Sequence, residues 1–118
     1  MRGDARGVLV CGGGGFASEL VSEFGELVGA VYDPHKEDDQ FDGRPVFRTL
    51  REARSRGFEF AVIGVGHPPV ARRILAEIEA EGLQLNAPLI SPHAIVTGSD
   101  VVIGNGSVVM AGVVITNH

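Results

Sequence analysis

A single cysteine, Cys11, stands in the 118 residues, so no disulfide can close within the chain. A lone thiol fits a reducing compartment, and the expected location is the cytoplasm. A basic excess is missing too: ten Lys and Arg against fifteen Asp and Glu leave a formal net charge of -5. The basic residues are scattered, which argues against the electrostatic footprint of a nucleic-acid binder. A nucleotide is not excluded with it, because backbone amides at a helix start hold phosphate without a basic side chain. Long apolar runs are also absent near the start. Val8 to Cys11 is too short for a signal-peptide core or a membrane span, so a soluble protein is expected, with no metal.

What is present reads as globular: 44% of residues are hydrophobic and 21% charged. The length suits one domain with a small appendage. Two textures divide the chain near Pro88. Residues 1–88 alternate strand-like and helix-like patterns, whereas residues 89–118 repeat valine, isoleucine and glycine at a fixed interval.

In the first part, Val8 to Cys11 is an apolar run ending in glycine, the pattern of a buried strand. Ala17, Leu20, Val21 and Phe24 fall on one helical face, which Gly25 closes. Leu27 to Tyr32 reads as a second strand and Pro34 to Gly43 as a polar loop. Pro45 to Phe47 reads as a short strand that its proline confines to an edge. Leu50 to Arg56 predicts a short helix, and Phe60 to Ile63 a third strand. Pro68 and Pro69 suit the first turn of a helix. Its buried face is Ile74, Leu75 and Ile78, with Arg72, Arg73, Glu77 and Glu81 in solvent, and Gly82 ends it. Leu83 to Leu89 reads as a last strand. Alternating strands and helices imply an α/β fold, a Rossmann-like parallel sheet with right-handed crossovers.

The tail falls into sixes beginning at Ser91. Their sixth place is valine four times, at Val96, Val102, Val108 and Val114. A six-residue period is the signature of a parallel β-helix, and a hairpin does not explain it. Those four valines are expected to face outward, against a neighbouring subunit. Little more than one coil fits before His118, and stacked repeats need neighbours to bury their core. The chain is therefore expected to be truncated, or capped by another subunit.

Candidate binding residues cluster at predicted strand ends. Gly12 to Ala17 reads G-x-G-x-x-A between a strand and a helix, so Gly12, Gly13, Gly14, Gly15 and Phe16 are candidates to cradle a phosphate. A tight turn that binds nothing has the same composition. Asp33 ends the second strand about twenty residues later, where dinucleotide folds bond a ribose hydroxyl; a turn aspartate is the plain alternative. Gly66 and His67 follow the third strand at the same edge, although His67 also suits a bare helix entry. His35 is expected in solvent, His93 in a turn, and His118 inert. Cys11 is expected to be packed rather than nucleophilic.

Four stretches together resemble one family: Val8 to Ala17, Val31-Tyr32-Asp33-Pro34, Gly43-Arg44-Pro45-Val46, and the sixes after Leu89-Ile90-Ser91-Pro92. The chain is similar in them to the sialic-acid O-acetyltransferase and bacillosamine N-acetyltransferase family of left-handed β-helix sugar acyltransferases. The resemblance implies a homotrimer that moves an acetyl group from acetyl-CoA to a nucleotide-linked sugar. Residues 1–88 would hold the nucleotide sugar, and residues 89–118 would begin the left-handed β-helix, where neighbouring subunits bind acetyl-CoA. A β-helix histidine would serve as general base. Phe16 stands where many members carry histidine, and Ser91 replaces the histidine of the usual His-Pro. The catalytic histidine would lie beyond His118, leaving this segment inactive by itself. Two other functions fit the residues alone. The glycine loop with Asp33 resembles an NAD(P) fingerprint, and the whole could be a non-catalytic nucleotide-binding or assembly module.

Overall fold

A computed structural model describes residues 7–12, 15–65, 67–87, 89–92, 94–96, 104, 106, 108–109 and 114–115. The elements run Val8–Cys11 (β1), Gly15–Phe24 (α1), Val28–Tyr32 (β2), Gln40–Phe41 (β3), Arg44–Phe47 (β4), Leu50–Ser55 (α2), Phe60–Ile63 (β5) and Pro68–Glu81 (α3). Five short strands follow: Gln84–Leu85 (β6), Leu89–Ile90 (β7), Ile95–Val96 (β8), Val108–Val109 (β9) and Val114–Ile115 (β10).

β1 to β6 form one six-stranded sheet in the order β3-β4-β2-β1-β5-β6. Every pairing in it is parallel except the antiparallel β3–β4 edge. The apolar β1 is buried throughout and takes the centre, as a strand covered on both faces must. Its alternating side chains serve both layers. Val8 and Val10 meet Leu20, Val21 and Phe24 of α1 on one face. Leu9 and Cys11 meet Leu50 and Ala53 of α2 and Ile74 and Ile78 of α3 on the other. The helix face read from Ala17, Leu20, Val21 and Phe24 is buried. Thr49 caps α2 by accepting a hydrogen bond from the Glu52 amide at 3.1 Å, the first half of a capping box. Pro68 and Pro69 open α3, and Gly82 closes it at φ 81°.

Several sequence expectations need correction. The segment before Gly43 is not all loop, because Gln40–Phe41 pairs with β4 and displaces it from the sheet edge. Pro45 is tolerated there because β4 pairs with β2 only through Val46 and Phe47, and the donor that proline lacks is not required. Leu27 belongs to a 3-10 turn, Gly25–Leu27, and is 54% exposed. Leu83 to Leu89 is not one strand: β6 extends the main sheet, whereas β7 pairs with β9. Leu75 is only half-buried, and Glu77 is half-buried rather than solvated.

In the tail, β7 pairs with β9 and β8 with β10, both parallel. The partners Leu89 and Val108, like Ile95 and Val114, lie 19 positions apart, one more than three strict sixes. Val108 does not face outward: it packs against the cluster that holds Leu89 and α1. The side chains of Val96, Val102 and Val114, and the handedness of the coil, lie outside the described residues. Among the described residues, Ser91 and Gly106 carry hydrogen bonds that join the tail to the sheet layer. Ser91, 1% exposed, donates its hydroxyl proton to the Glu23 carboxylate of α1. The Gly106 carbonyl accepts from the Ile63 amide at 3.1 Å, and the Gly106 amide donates to the Asn86 carbonyl at 2.6 Å.

Ile78 is fully buried at the centre of the α2–α3 layer. Ile78→Ala leaves a cavity there and should cost roughly 2–5 kcal/mol, read as a lowered urea midpoint.

Candidate functional site

The strand order reverses beside β1, since β2 and β4 lie to one side of it and β5 and β6 to the other. In open α/β sheets ligands bind outside the carboxyl ends of the strands at such a point. Three strand ends are tied together there. The Gly12 amide donates to the Tyr32 carbonyl at 2.9 Å, and the Gly64 amide to the Cys11 carbonyl at 2.9 Å. Asp33 donates its own amide to the Phe47 carbonyl at 2.9 Å and accepts the His35 amide at 2.9 Å, an Asx turn. Gly12 has φ 120°, and a Cβ on it would stand 2.5 Å from Val65 Cγ2 and 3.0 Å from the Gly64 carbonyl oxygen. Only glycine meets both conditions.

These ends open into a cavity of about 490 Å³. Gly12, Tyr32 and Asp33 line it from β1 and β2, with the turn Pro34–His35 beside them. Val65 and the α3 residues Val70, Arg73, Ile74 and Glu77 complete the lining. The volume is that of a small-molecule site, and its lining mixes the apolar Val65, Val70 and Ile74 with the polar Tyr32, Asp33, His35, Arg73 and Glu77.

The site mixes expected and unexpected residues. Gly12 and Asp33, both candidates from the sequence, line the same cavity. Gly15 and Phe16 begin α1, although the side chain of Phe16 is outside the described residues, as are Gly13, Gly14 and Gly66. His67 is exposed at the N-cap of α3, makes no side-chain cap bond and does not line the cavity. His35 is exposed as expected, yet it lies at the cavity. Sequence reasoning missed Tyr32, Arg73 and Glu77. Arg73 and Glu77 stand at i, i+4 on α3; Arg73 is exposed, as the solvated face predicts, whereas Glu77 is half-buried.

Tyr32 and Glu77 form the polar floor. The Tyr32 hydroxyl donates to Glu77 Oε1 at 3.0 Å. Burial, and then the bond to Glu77, pushes the phenol up to about 12, so it remains a donor at neutral pH. On the other side of this pair lies a second cavity of about 440 Å³, which Arg48, Thr49 and Arg51 also line. Behind the floor, burial and the Glu77 charge push the Cys11 thiol up to about 12. Cys11 is therefore a core residue and not a nucleophile, as expected. Among the described residues, no group of three or more His, Cys, Asp or Glu could hold a metal ion. Among them, too, no helix is long and apolar enough to cross a membrane.

No protein-family model and no curated protein sequence matches the chain. Solved structures do. Perosamine N-acetyltransferase from Caulobacter crescentus, as the H-to-N mutant bound to CoA and GDP-perosamine, superimposes with a TM-score of 0.77 at 28% identity over 92% of this chain. The chain shares the fold of the sugar acyltransferase family. The PerB complex from the same organism, also with CoA and GDP-perosamine, gives 0.74 at 29% identity over 92% of this chain and 53% of its own. The acetyltransferase domain of PglB from Neisseria gonorrhoeae gives 0.69 at 29% over 92% of this chain and 55% of its own. The chain thus spans about half the length of the structures it matches, with 53% of the first covered. The resemblance read from the motifs extends to the three-dimensional arrangement.

The buried thiol gives a pH prediction. Unfolded, Cys11 ionises near its ordinary value of 9.0, whereas folded it holds its proton to about 12. Above pH 9 the unfolded state binds fewer protons, so stability falls as pH rises. The contribution of this group is about 1.4 kcal/mol per pH unit. Denaturation midpoints should drop from pH 9 to 11, and Cys11→Ser should flatten the slope. At pH 8 a thiol-specific alkylating reagent should label the protein only after unfolding.

Proposed function

We propose that this chain is the nucleotide-sugar-binding part of an acetyl-CoA-dependent sugar acyltransferase. The observation that carries the reading is the cavity at the strand reversal, where Gly12 and Asp33 meet. Support comes from the likeness to a perosamine N-acetyltransferase that binds CoA and GDP-perosamine. Residues 1–88 are the nucleotide-sugar domain. The loop from Gly12 through Phe16 presents its amides, with the start of α1, to the diphosphate. Asp33 takes a ribose hydroxyl. Gly66 and His67 flank the diphosphate on the β5 side.

Residues 89–118 begin a left-handed β-helix, a reading favoured by the two parallel pairings at an interval of 19. Longer β-helix chains in a cytoplasmic homotrimer would bind acetyl-CoA between subunits. There the sugar amine or hydroxyl attacks the thioester carbonyl, a β-helix histidine beyond His118 accepts its proton, and CoA departs as the thiol. The contribution of this chain is orientation. Holding the sugar by its nucleotide turns a two-body encounter into a reaction within one complex.

Calorimetry with nucleoside diphosphates tests the reading. The chain should bind at least one, and Asp33→Ala should weaken it about tenfold. Mixed with acetyl-CoA and a nucleotide amino sugar, the chain should release no CoA. Absence of nucleoside diphosphate binding, or NAD(P) binding in its place, would overturn the proposal.

A further inference from the structure

The segment from Asp33 to Asp39 supplies one wall of the cavity through Asp33, Pro34 and His35. It then continues as consecutive carboxylates, Glu37, Asp38 and Asp39, all of them exposed. A run of like charges repels itself and does not choose a conformation of its own. The lysine of the segment, Lys36, lies over the Phe41 ring at 4.8 Å. The conformation is imposed from β4. The Asp33 amide donates to the Phe47 carbonyl, and the Val46 amide to the Asp39 carbonyl, both at 2.9 Å. Both ends of the segment are thus pinned to adjacent residues of one strand.

Between those ends the segment is held by the next residue of the chain after β4. The Arg48 guanidinium donates from Nε to the Lys36 carbonyl at 2.9 Å. It donates from Nη2 to the Glu37 carbonyl at 2.7 Å and the Asp38 carbonyl at 3.2 Å, and from Nη1 to the Asp39 carboxylate at 3.0 Å. The Asp39 side chain is 89% exposed, so that ion pair adds little by itself. The distinctive feature is that successive carbonyls converge on one planar group. A rigid fork of N–H donors meets that geometry, and a compact ammonium does not. Arg48 does not line the cavity at the strand reversal; it lines the second one, beyond Tyr32 and Glu77. It reaches a ligand only through the segment it holds. Resting on the nucleotide-sugar reading of the cavity, we infer that Arg48 is a positioning residue for ligand binding, fixing the wall of Asp33, Pro34 and His35 before the ligand arrives. Without the guanidinium, the ligand must order that wall itself, at the expense of affinity.

Calorimetry with UDP and GDP tests the inference. Arg48→Ala should bind whichever nucleotide the unaltered chain binds about tenfold more weakly. Guanidinium ion at low, non-denaturing concentration should restore most of that affinity in Arg48→Ala and leave the unaltered chain unchanged. Methylammonium at the same concentration should restore none, and general damage to the fold would respond to neither ion. Arg48→Lys keeps the charge and removes the fork, so it should be folded by circular dichroism with affinity reduced about threefold or more. If Arg48→Ala does not fold, Arg48→Lys decides. Unchanged affinity in either variant, or a loss in Arg48→Ala that guanidinium does not restore, overturns the inference and leaves the nucleotide-sugar reading standing. Binding of neither nucleotide by the unaltered chain overturns that reading, and the inference with it.

Discussion

The backbone at Cys11–Gly12 is held from both sides. Its carbonyl accepts from Gly64 after β5, and the next amide donates to Tyr32 at the end of β2. The left-handed φ of Gly12 lets the chain leave the sheet there without a side chain striking Val65. Three strand ends are thereby brought level, and the cavity is the space they leave open. Asp33, the Asx turn to His35 and the first turns of α3 all take their positions from this edge. A wider residue at position 12 would strike the Val65 side chain and the Gly64 carbonyl, just past β5.

Much of this was legible in the sequence because it depends on short-range pattern. The face of α1, the proline entry and glycine exit of α3, and the burial of β1 follow from spacings of a few residues. Gly12 and Asp33 were readable for the same reason, since each stands at the end of an apolar run. The rest was hidden because it depends on distant partners. Glu77 lies 45 positions from Tyr32, and nothing near either one signals their hydrogen bond. As a charged residue on an amphipathic helix, Glu77 has the pattern of a solvent-facing side chain, yet it is half-buried. Gln40–Phe41 forms a strand only because β4 offers it an edge, so its polar neighbourhood read as loop. Ser91, at the start of the sixes and in place of a motif histidine, is a buried anchor to Glu23.

The floor of the cavity also connects two environments. Cys11, Tyr32 and Glu77 stand in sequence from the apolar layer to the cavity, and the first two are held neutral by burial and by the Glu77 charge. Burial is the larger cause for both groups, and the Glu77 charge adds to it. The low dielectric behind Glu77 strengthens any hydrogen bond made in front of it.

Gly106 has consequences for mechanics. Its amide and carbonyl are inserted between Asn86 and Ile63, and its φ of 85° brings it against Leu85, where a Cβ would stand 2.9 Å from a methyl group. Contacts therefore cross the change of texture near residue 88. A cut there would strip a partner from the Ile63 amide and the Asn86 carbonyl and uncover Leu85, so neither piece would keep its full set of contacts. Sliding the tail by a single residue would break both bonds together. One residue of the tail thus completes the hydrogen bonding at the end of β5 and just past β6.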